Sequence, residues 1–197
     1  RPFLSLLITA VVLSLMLFLT ESGALLISEK SRELTGGDMN IETSTPIDAD
    51  QILRDLNIDG AIISLTREFT ITILHGENTT PVFLRVIDSE YPLYGVVTLE
   101  NKPYREPDDT TILLDRTALD RLGARVGDTV MVGERSFVIG DVLLSEPTSL
   151  FSGFRFLPRG LMGSRGYESL GLDPNLIRIE YEYNYKIPVL TNALAEE

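Results

Sequence analysis

The 197 residues contain 17 lysines and arginines against 29 aspartates and glutamates, which gives a formal net charge of −12 at pH 7. This balance excludes nucleic acid as an expected partner, because neutralising phosphates requires clustered basic side chains. The chain has no cysteine, so disulfides and thiolate metal sites are excluded as well. Its length allows one membrane helix and one compact domain of ordinary size.

An uncharged apolar run occupies residues 2–20, immediately before Glu21. A helix needs about 20 apolar residues to cross the hydrocarbon core of a bilayer, so we predict a membrane helix here. Two alternatives stay open: a cleaved secretory signal, whose apolar part is usually shorter, and a buried core helix. Arg1 precedes the run and the acidic remainder follows it, which favours an extracytoplasmic location for the bulk of the chain.

The apolar stripe continues beyond this run into good helix formers and ends at two adjacent glycines, where the left-handed conformation terminates helices. We therefore predict that residues 1–37 form a membrane helix that projects into water as a stalk. Residues 38–197 are predicted to form an extracytoplasmic domain that is cut short at its C-terminal end. The residues expected to couple the stalk to this domain are Leu25, Leu26, Leu34, Gly36 and Gly37.

Short strands and short helices alternate along the predicted domain. A strand is expected at 38–43, and an amphipathic helix at 47–56 has Asp48 as its N-cap. The other predicted strands lie at 61–65, 69–74, 81–87, 96–99, 111–114, 126–132, 136–144 and 176–185. Helical segments are predicted at 117–122, ended by Gly123, and at 167–172. Strands interleaved with helices, many joined by hairpins, predict an α+β domain with mixed or antiparallel sheets.

The segment 176–185 has the most regular alternation in the chain. Its polar side carries Arg178, Glu180, Glu182 and Asn184, and its apolar side carries Ile177, Ile179, Tyr181, Tyr183 and Tyr185. We interpret the tyrosine row as a sheet face that packs against a helix, with a ligand platform as the less favoured alternative.

No catalytic arrangement is evident. His75 is the only histidine, so a metal site built from several histidines is excluded. A catalytic triad could draw only on this one imidazole. The Gly-Ser-Arg-Gly sequence at 163–166 lacks the spacing of a nucleophile elbow. Glu106, Asp108 and Asp109 lack the spacing of a calcium loop and are interpreted as a solvated loop. We therefore predict no enzymatic activity and no cofactor.

The segment 148–156 is rich in glycine, serine and phenylalanine. An apolar side chain in such a connection is suited to contact a lipid-like cargo or a partner protein, although packing onto the domain is the alternative. The candidate contact residues are Phe151, Phe154 and Phe156.

Four motifs occur in an order that resembles a known family. They are E-L-T-G-G-D at 33–38, V-x-D-x-x-Y-P-L-x-G at 86–95, L-D-x-x-x-L-x-x-L-G-x-x-V-G-D at 114–128, and E-P at 146–147 followed by L-P-R-G-L-M at 157–162. Together they resemble the first membrane helix and extracytoplasmic core domain of FtsX-like, MacB-type ABC-transporter permeases, and among these the YbbP type.

The resemblance implies a permease subunit in the cytoplasmic (inner) membrane. In that family a separate cytoplasmic ATPase supplies the energy that moves the membrane helices and the outer domain, a role called mechanotransmission. The family link implies export or extraction of hydrophobic or lipid-like molecules, with membrane lipid and an extracytoplasmic protein as further partners. This chain has no Walker motif, which in that family belongs to the separate ATPase, and it stops before the remaining helices that a complete permease would have. A membrane-anchored extracytoplasmic binding or assembly domain is the alternative.

Overall fold

A computed structural model of the chain describes residues 32, 35–147, 157–174 and 176–188. Over this part of the chain, nine strands form one sheet and three short helices accompany it. The strands are β1 (Met39–Thr43), β2 (Ile62–His75), β3 (Asn78–Ile87), β4 (Thr98–Leu99), β5 (Thr111–Asp115), β6 (Thr129–Val132), β7 (Arg135–Ser145), β8 (Arg159–Gly163) and β9 (Glu180–Lys186). The helices are α1 (Ala49–Asp55), α2 (Arg116–Leu122) and α3 (Ser164–Ser169). A mixed sheet with few helices agrees with the predicted class.

The sheet closes on itself through β6. Its strands follow the order β1-β9-β2-β3-β8-β5-β7-β4, and β6 pairs with both β2 and β7. The strands β2, β3, β8, β5, β7 and β6 therefore form a closed ring. Only the β3–β8 and β5–β7 pairs of the described strands are parallel. Closure matters because it removes the unpaired edges that an open sheet would expose.

The strand β2 belongs both to this ring and to an extension of the sheet. One edge of β2 pairs with β3. The other edge pairs with β9 over residues 62–68 and then with β6 at Ile73 and Leu74. The extension consequently runs β1-β9-β2, and β1 lies at its outer edge.

Apolar side chains fill both faces of the central strands. Ile112 and Leu114 of β5 lie in the main core with Leu84 and Leu122, whereas Leu113 lies in a second cluster on the opposite face. Successive strand residues point to opposite faces, so β5 is buried on both sides. The helix α2 packs against β3 and β5 and contributes three buried residues, Ala118, Leu119 and Leu122. Each leucine buried in this way contributes about 1.5–3 kcal/mol.

Local sequence signals correctly predicted the N-cap of α1 and the C-terminal end of α2. The side chain of Asp48 accepts a hydrogen bond from the Gln51 N–H at 2.9 Å and caps α1. The helix α2 ends at Gly123, which has a φ of 61° and so adopts the left-handed conformation. Both predictions are confirmed.

The tyrosine row packs into the core as predicted. Tyr181, Tyr183 and Tyr185 are buried, and the Tyr183 hydroxyl accepts a hydrogen bond from the Ile47 N–H at 3.1 Å just before α1. Asn184 lies on the opposite face, but it too is buried, at 3 % exposure. The polar face of β9 is therefore covered at Asn184 but open at Glu180, which alternation alone does not reveal.

The predicted strands at 61–65 and 69–74 are one continuous strand. Thr66, Arg67 and Glu68 interrupt the apolar pattern, yet they pair with β9, and Arg67 and Glu68 also pair with β3. Pairing on both edges extends the strand through residues that look like a break in the sequence.

The strand β8 was not predicted, because a proline and two glycines punctuate its sequence. Gly160 is needed there: a Cβ at this position would lie 3.0–3.2 Å from the side chains of Leu84, Leu114 and Val82. Crowding at the centre of the ring thus explains a glycine inside a strand. Several predicted bounds were displaced: β4 spans two residues, β6 begins at Thr129, β9 begins at Glu180, and α3 begins at Ser164.

The predicted membrane helix at residues 2–20 lies outside the described residues. Among the residues that are described, no helix is long and apolar enough to cross a bilayer.

Candidate functional site

A buried arginine stands at the centre of a chain of ion pairs. Arg85 of β3 is 3 % exposed, and its Nε donates a hydrogen bond to Glu68 Oε1 of β2 at 2.6 Å. Its Nη1 lies 3.2 Å from Glu146 Oε2 and 3.3 Å from the Tyr91 hydroxyl, and it donates to the Pro147 carbonyl at 3.1 Å. Arg85 therefore joins two strands and the segment that follows β7.

Glu146 extends this chain to a second arginine. Its Oε1 lies 3.6 Å from Arg159 Nη1, and Arg159 Nε lies 3.8 Å from Asp115 Oδ2. The Arg159 N–H also donates to Asp115 Oδ2 at 2.9 Å, while Asp115 Oδ1 caps α2. We call Glu68, Arg85, Glu146, Arg159 and Asp115 the ion network.

The ion network brings together residues of motifs that are far apart in the sequence. Asp115 belongs to the L-D motif, Glu146 to E-P and Arg159 to L-P-R-G-L-M, while Tyr91 comes from the V-x-D-x-x-Y motif. Asp88 of that last motif accepts hydrogen bonds from Ser64 Oγ at 2.9 Å and from the Leu65 N–H at 2.5 Å. The motif residues thus form contacts between strands, both within the ion network and beside it at Asp88.

Sequence reasoning missed Arg85 and Glu68. Arg85 is the single charge in the otherwise apolar strand segment 81–87, and a lone charge in such a segment indicates a buried ion pair. The partner could not be identified in this way, because pairing depends on which strands are neighbours.

Burial and charge shift the protonation equilibria of the network in different directions. Burial raises the pKa of Glu68, and neighbouring Arg85 only partly offsets this effect. Burial alone would lower the pKa of Arg85, but Glu146, Tyr91 and Glu68 outweigh it, so the pKa stands above its usual value. Arg85 therefore stays charged, while Glu68 is the network carboxylate that burial makes easier to protonate.

The raised pKa of Glu68 leads to a pH prediction. The folded state holds the Glu68 proton more tightly than the unfolded state, so this stabilisation is complete below about pH 4.5 and is lost as the pH rises through the raised value. We expect the free energy of unfolding of Glu68→Gln, taken relative to that of the parent, to increase between pH 4.5 and pH 7. Urea unfolding at a series of pH values measures this difference.

The matched control is Glu77→Gln, because Glu77 lies in the exposed turn between β2 and β3. This substitution removes no buried carboxylate, so it should not reproduce the pH-dependent difference expected for Glu68→Gln. A parent that becomes more stable relative to Glu68→Gln as the pH rises would contradict the assignment.

The structure describes part of the predicted stalk. The Gly36 N–H donates to the Arg32 carbonyl at 2.8 Å, a helical bond, and Gly36 has a left-handed φ of 76°. Gly37 lies so close to β9 that a Cβ would come within 2.8 Å of the Met39 carbonyl oxygen and 3.0 Å of the Tyr185 backbone. Both glycines are buried. Their role in coupling stays a prediction, and Leu25, Leu26 and Leu34 lie outside the described residues.

Phe151, Phe154 and Phe156 also lie outside the described residues. The chain on either side of them is anchored to β3, because Arg85 binds the Pro147 carbonyl and the Phe83 N–H donates to the Pro158 carbonyl at 2.8 Å. The contact role of these phenylalanines stays a prediction.

The remaining candidate groups have structural partners. His75 is half-buried, and its Nδ1 lies 3.2 Å from the Leu122 carbonyl at the end of α2. Asp108 accepts hydrogen bonds from Thr110 N–H and Oγ1, both at 3.0 Å, which is a local turn. Hydrogen bonds from Thr111 and Thr110 lower the pKa of Asp108.

An open groove of about 400 Å³ lies between the turn that follows β1 and the segment that leads into β9. Ile177, Ile179 and Tyr181 contribute apolar surface to it, and Leu176 beside them is 83 % exposed. The charged residue that lines the groove is Arg178. The groove therefore offers apolar contact and no cluster of acid and base groups.

Comparison with known proteins supports the expected class, the FtsX-like and MacB-type ABC-transporter permeases. The chain is 24 % identical over 159 residues to the uncharacterised ABC transporter permease YbbP of Escherichia coli strain K12. The match covers 81 % of this chain and 20 % of YbbP, so the chain spans about a fifth of that relative's length. No protein-family model matches the sequence.

One solved structure shares the fold. The extracellular domain of the ABC-type transporter YknZ from Gram-positive bacteria is 12 % identical with a TM-score of 0.52, and the match covers 79 % of this chain and 88 % of that domain. A domain of a protein assigned as a permease, from Porphyromonas gingivalis, is 16 % identical with a TM-score of 0.45, over 77 % of this chain and 68 % of that one. The resemblance read from the sequence motifs is confirmed at the level of a permease-type protein.

Proposed function

We propose that the chain is the first membrane helix and the extracytoplasmic domain of an ABC-transporter permease subunit. The observation that carries the proposal is the similarity to YbbP over 81 % of the chain. The apolar run at 2–20 supports residues 1–37 as membrane helix and stalk, with residues 38–197 on the outer side of the cytoplasmic membrane. The partner that supplies energy is a separate cytoplasmic ATPase, and the chain itself has no enzymatic role.

In this proposal the domain transmits motion and performs no chemistry. ATP-driven closure of the ATPase moves the membrane helix, and the stalk carries that displacement to β1. A continuous helix is stiff enough for this task, and it rises about 1.5 Å per residue. The substrates we propose are hydrophobic or lipid-like molecules, for which Phe151, Phe154 and Phe156 are the candidate contacts, alone or with an extracytoplasmic partner protein.

The test uses the full-length protein purified from membranes. We expect an ABC ATPase to co-purify with it, and the complex to drive ATP-dependent movement of a fluorescent lipid probe in proteoliposomes. Inserting Gly-Gly after Ser28 should abolish this movement while ATP hydrolysis and co-purification persist, because two glycines cost about 2 kcal/mol of helix propensity and introduce a hinge.

The control is the same insertion after Arg105, in an exposed loop of the domain. This control should move the probe at the parental rate. If the stalk insertion does the same, the stalk is only a tether and a membrane-anchored binding module explains the chain better. Absence of any ATPase from the purified parent would refute the permease function itself.

A further inference from the structure

The carboxylate of Asp38 contacts three separate parts of the chain. Its Oδ1 forms an ion pair with Arg32 Nε at 2.9 Å. Its Oδ2 accepts hydrogen bonds from the Tyr94 hydroxyl and from the Ile187 N–H, both at 2.8 Å. The Asp38 side chain is only 2 % exposed. One buried carboxylate therefore joins the residues before β1, the loop after β3 and the residue that follows β9.

Further contacts surround this carboxylate. The Asp38 N–H donates to the Tyr185 carbonyl at 2.7 Å. The Tyr94 ring lies 5.5 Å from the Arg32 guanidinium and 5.3 Å from Lys186 Nζ, which are cation–π distances. The tyrosine thus contacts a basic residue from each of the two ends of the domain.

Because of the position of Asp38 in the sheet, its contacts resist separation of the two ends of the domain. The strand β1 pairs with β9 alone among the described strands, over five residue pairs from Met39–Tyr185 to Thr43–Tyr181. Asp38 and Ile187 lie just beyond the Met39–Tyr185 pair. Force that separates the incoming chain from the outgoing chain would open the β1–β9 ladder one pair at a time from this end. The contacts of Asp38 must break before the ladder opens.

We propose that Asp38 is a positioning residue that holds the incoming and outgoing chains of the domain together, so that they move as one unit when the flanking segments are displaced. This inference rests on the proposed permease function, because only a domain that receives motion from the membrane needs such a link. The groups that form the link are Arg32, Tyr94 and the Ile187 N–H.

The test is Asp38→Asn in the full-length protein, read by hydrogen exchange with mass spectrometry. Asparagine keeps one oxygen but loses the charge and the second acceptor, so it cannot serve all three donors. We expect hydrogen exchange in the peptide covering 185–188 to become about tenfold faster, because the Ile187 N–H loses a charge-assisted hydrogen bond to a buried carboxylate. In the complex with the ATPase, movement of the lipid probe should fall while ATP hydrolysis persists.

Asp59→Asn is the matched control, since Asp59 is exposed, and it should leave exchange at 185–188 unchanged. General unfolding of Asp38→Asn would also raise exchange in β3 and β5. In that case Tyr94→Phe is tested in place of Asp38→Asn. It removes only one hydroxyl, so it should raise exchange at 185–188 by a smaller factor.

Two results would overturn the inference. Parental exchange at 185–188 in these variants would show that Asp38 does not hold the chains together, whatever the function of the protein. Faster exchange with parental probe movement would show that the link has no part in coupling, and it would leave the permease function standing. Failure of the permease function itself is recognised separately, in the parent, by the absence of an ATPase.

Discussion

Replacing Arg85 by methionine is expected to lower the free energy of unfolding by about 3–5 kcal/mol, the usual cost of removing one partner from a buried ion pair. Methionine retains an unbranched apolar stem, but it leaves the Glu68 carboxylate without its cation and leaves Glu146 with only the more distant Arg159. The two glutamate side chains are 12 % and 4 % exposed, so water cannot replace the lost guanidinium. Urea unfolding of the purified chain, followed by circular dichroism, measures the loss.

Arg178→Met makes the same chemical change at the surface. Arg178 is 84 % exposed and forms an ion pair with Glu180, a kind of contact that contributes at most about 1 kcal/mol. A second comparison adds Glu68→Gln and Glu146→Gln to Arg85→Met. This triple variant should recover part of the loss, because no unpaired carboxylate remains. Equal costs for the two arginine substitutions would contradict the importance of the ion network.

Leu84→Ala is expected to cost about 2–5 kcal/mol, because it deletes a fully buried side chain and leaves a cavity. Leu84 is 0 % exposed in β3, between β2 and β8, and its side chain lies against Gly160. The cavity would open where Gly160 of β8 lies close to β3 and β5, so that neighbouring strands leave little room to collapse. The same unfolding measurement applies.

Leu74→Ala is the matched control within the same hairpin. Leu74 lies in β2 and is 42 % exposed, so its truncation should cost less than about 1 kcal/mol. Similar losses at the two leucines would mean that the closed ring does not have the core described above.

The local features of the fold were predictable because their causes lie within a few residues. The cap at Asp48 and the stop at Gly123 depend on one side chain and the turn beside it. The alternation in β9 placed Tyr181, Tyr183 and Tyr185 on one buried face. The motif order also indicated the permease class, since it reflects the whole chain rather than any single contact.

The ion network was not predictable from the same patterns. Glu68 is 17 residues from Arg85, and Arg85 is 61 residues from Glu146, so each pair forms only when β2, β3 and the end of β7 become neighbours. The lone charge in the apolar segment 81–87 indicates an ion pair, but it does not identify the partner. Only strand pairing shows that these charges are buried and compensate one another.

By itself, the sequence determined the α+β class, the cap at Asp48, the helix end at Gly123, the buried face of β9 and the resemblance to ABC-transporter permeases. The tertiary structure alone decided that β2 runs unbroken through Thr66, Arg67 and Glu68, that β8 lies in the centre of the sheet, and that β6 closes the ring. The physical reason is the range of the interactions. Capping, turn formation and side-chain alternation act over a few residues, whereas ladder pairing, close packing at Gly160 and the burial of Arg85 depend on strands that are distant in the sequence.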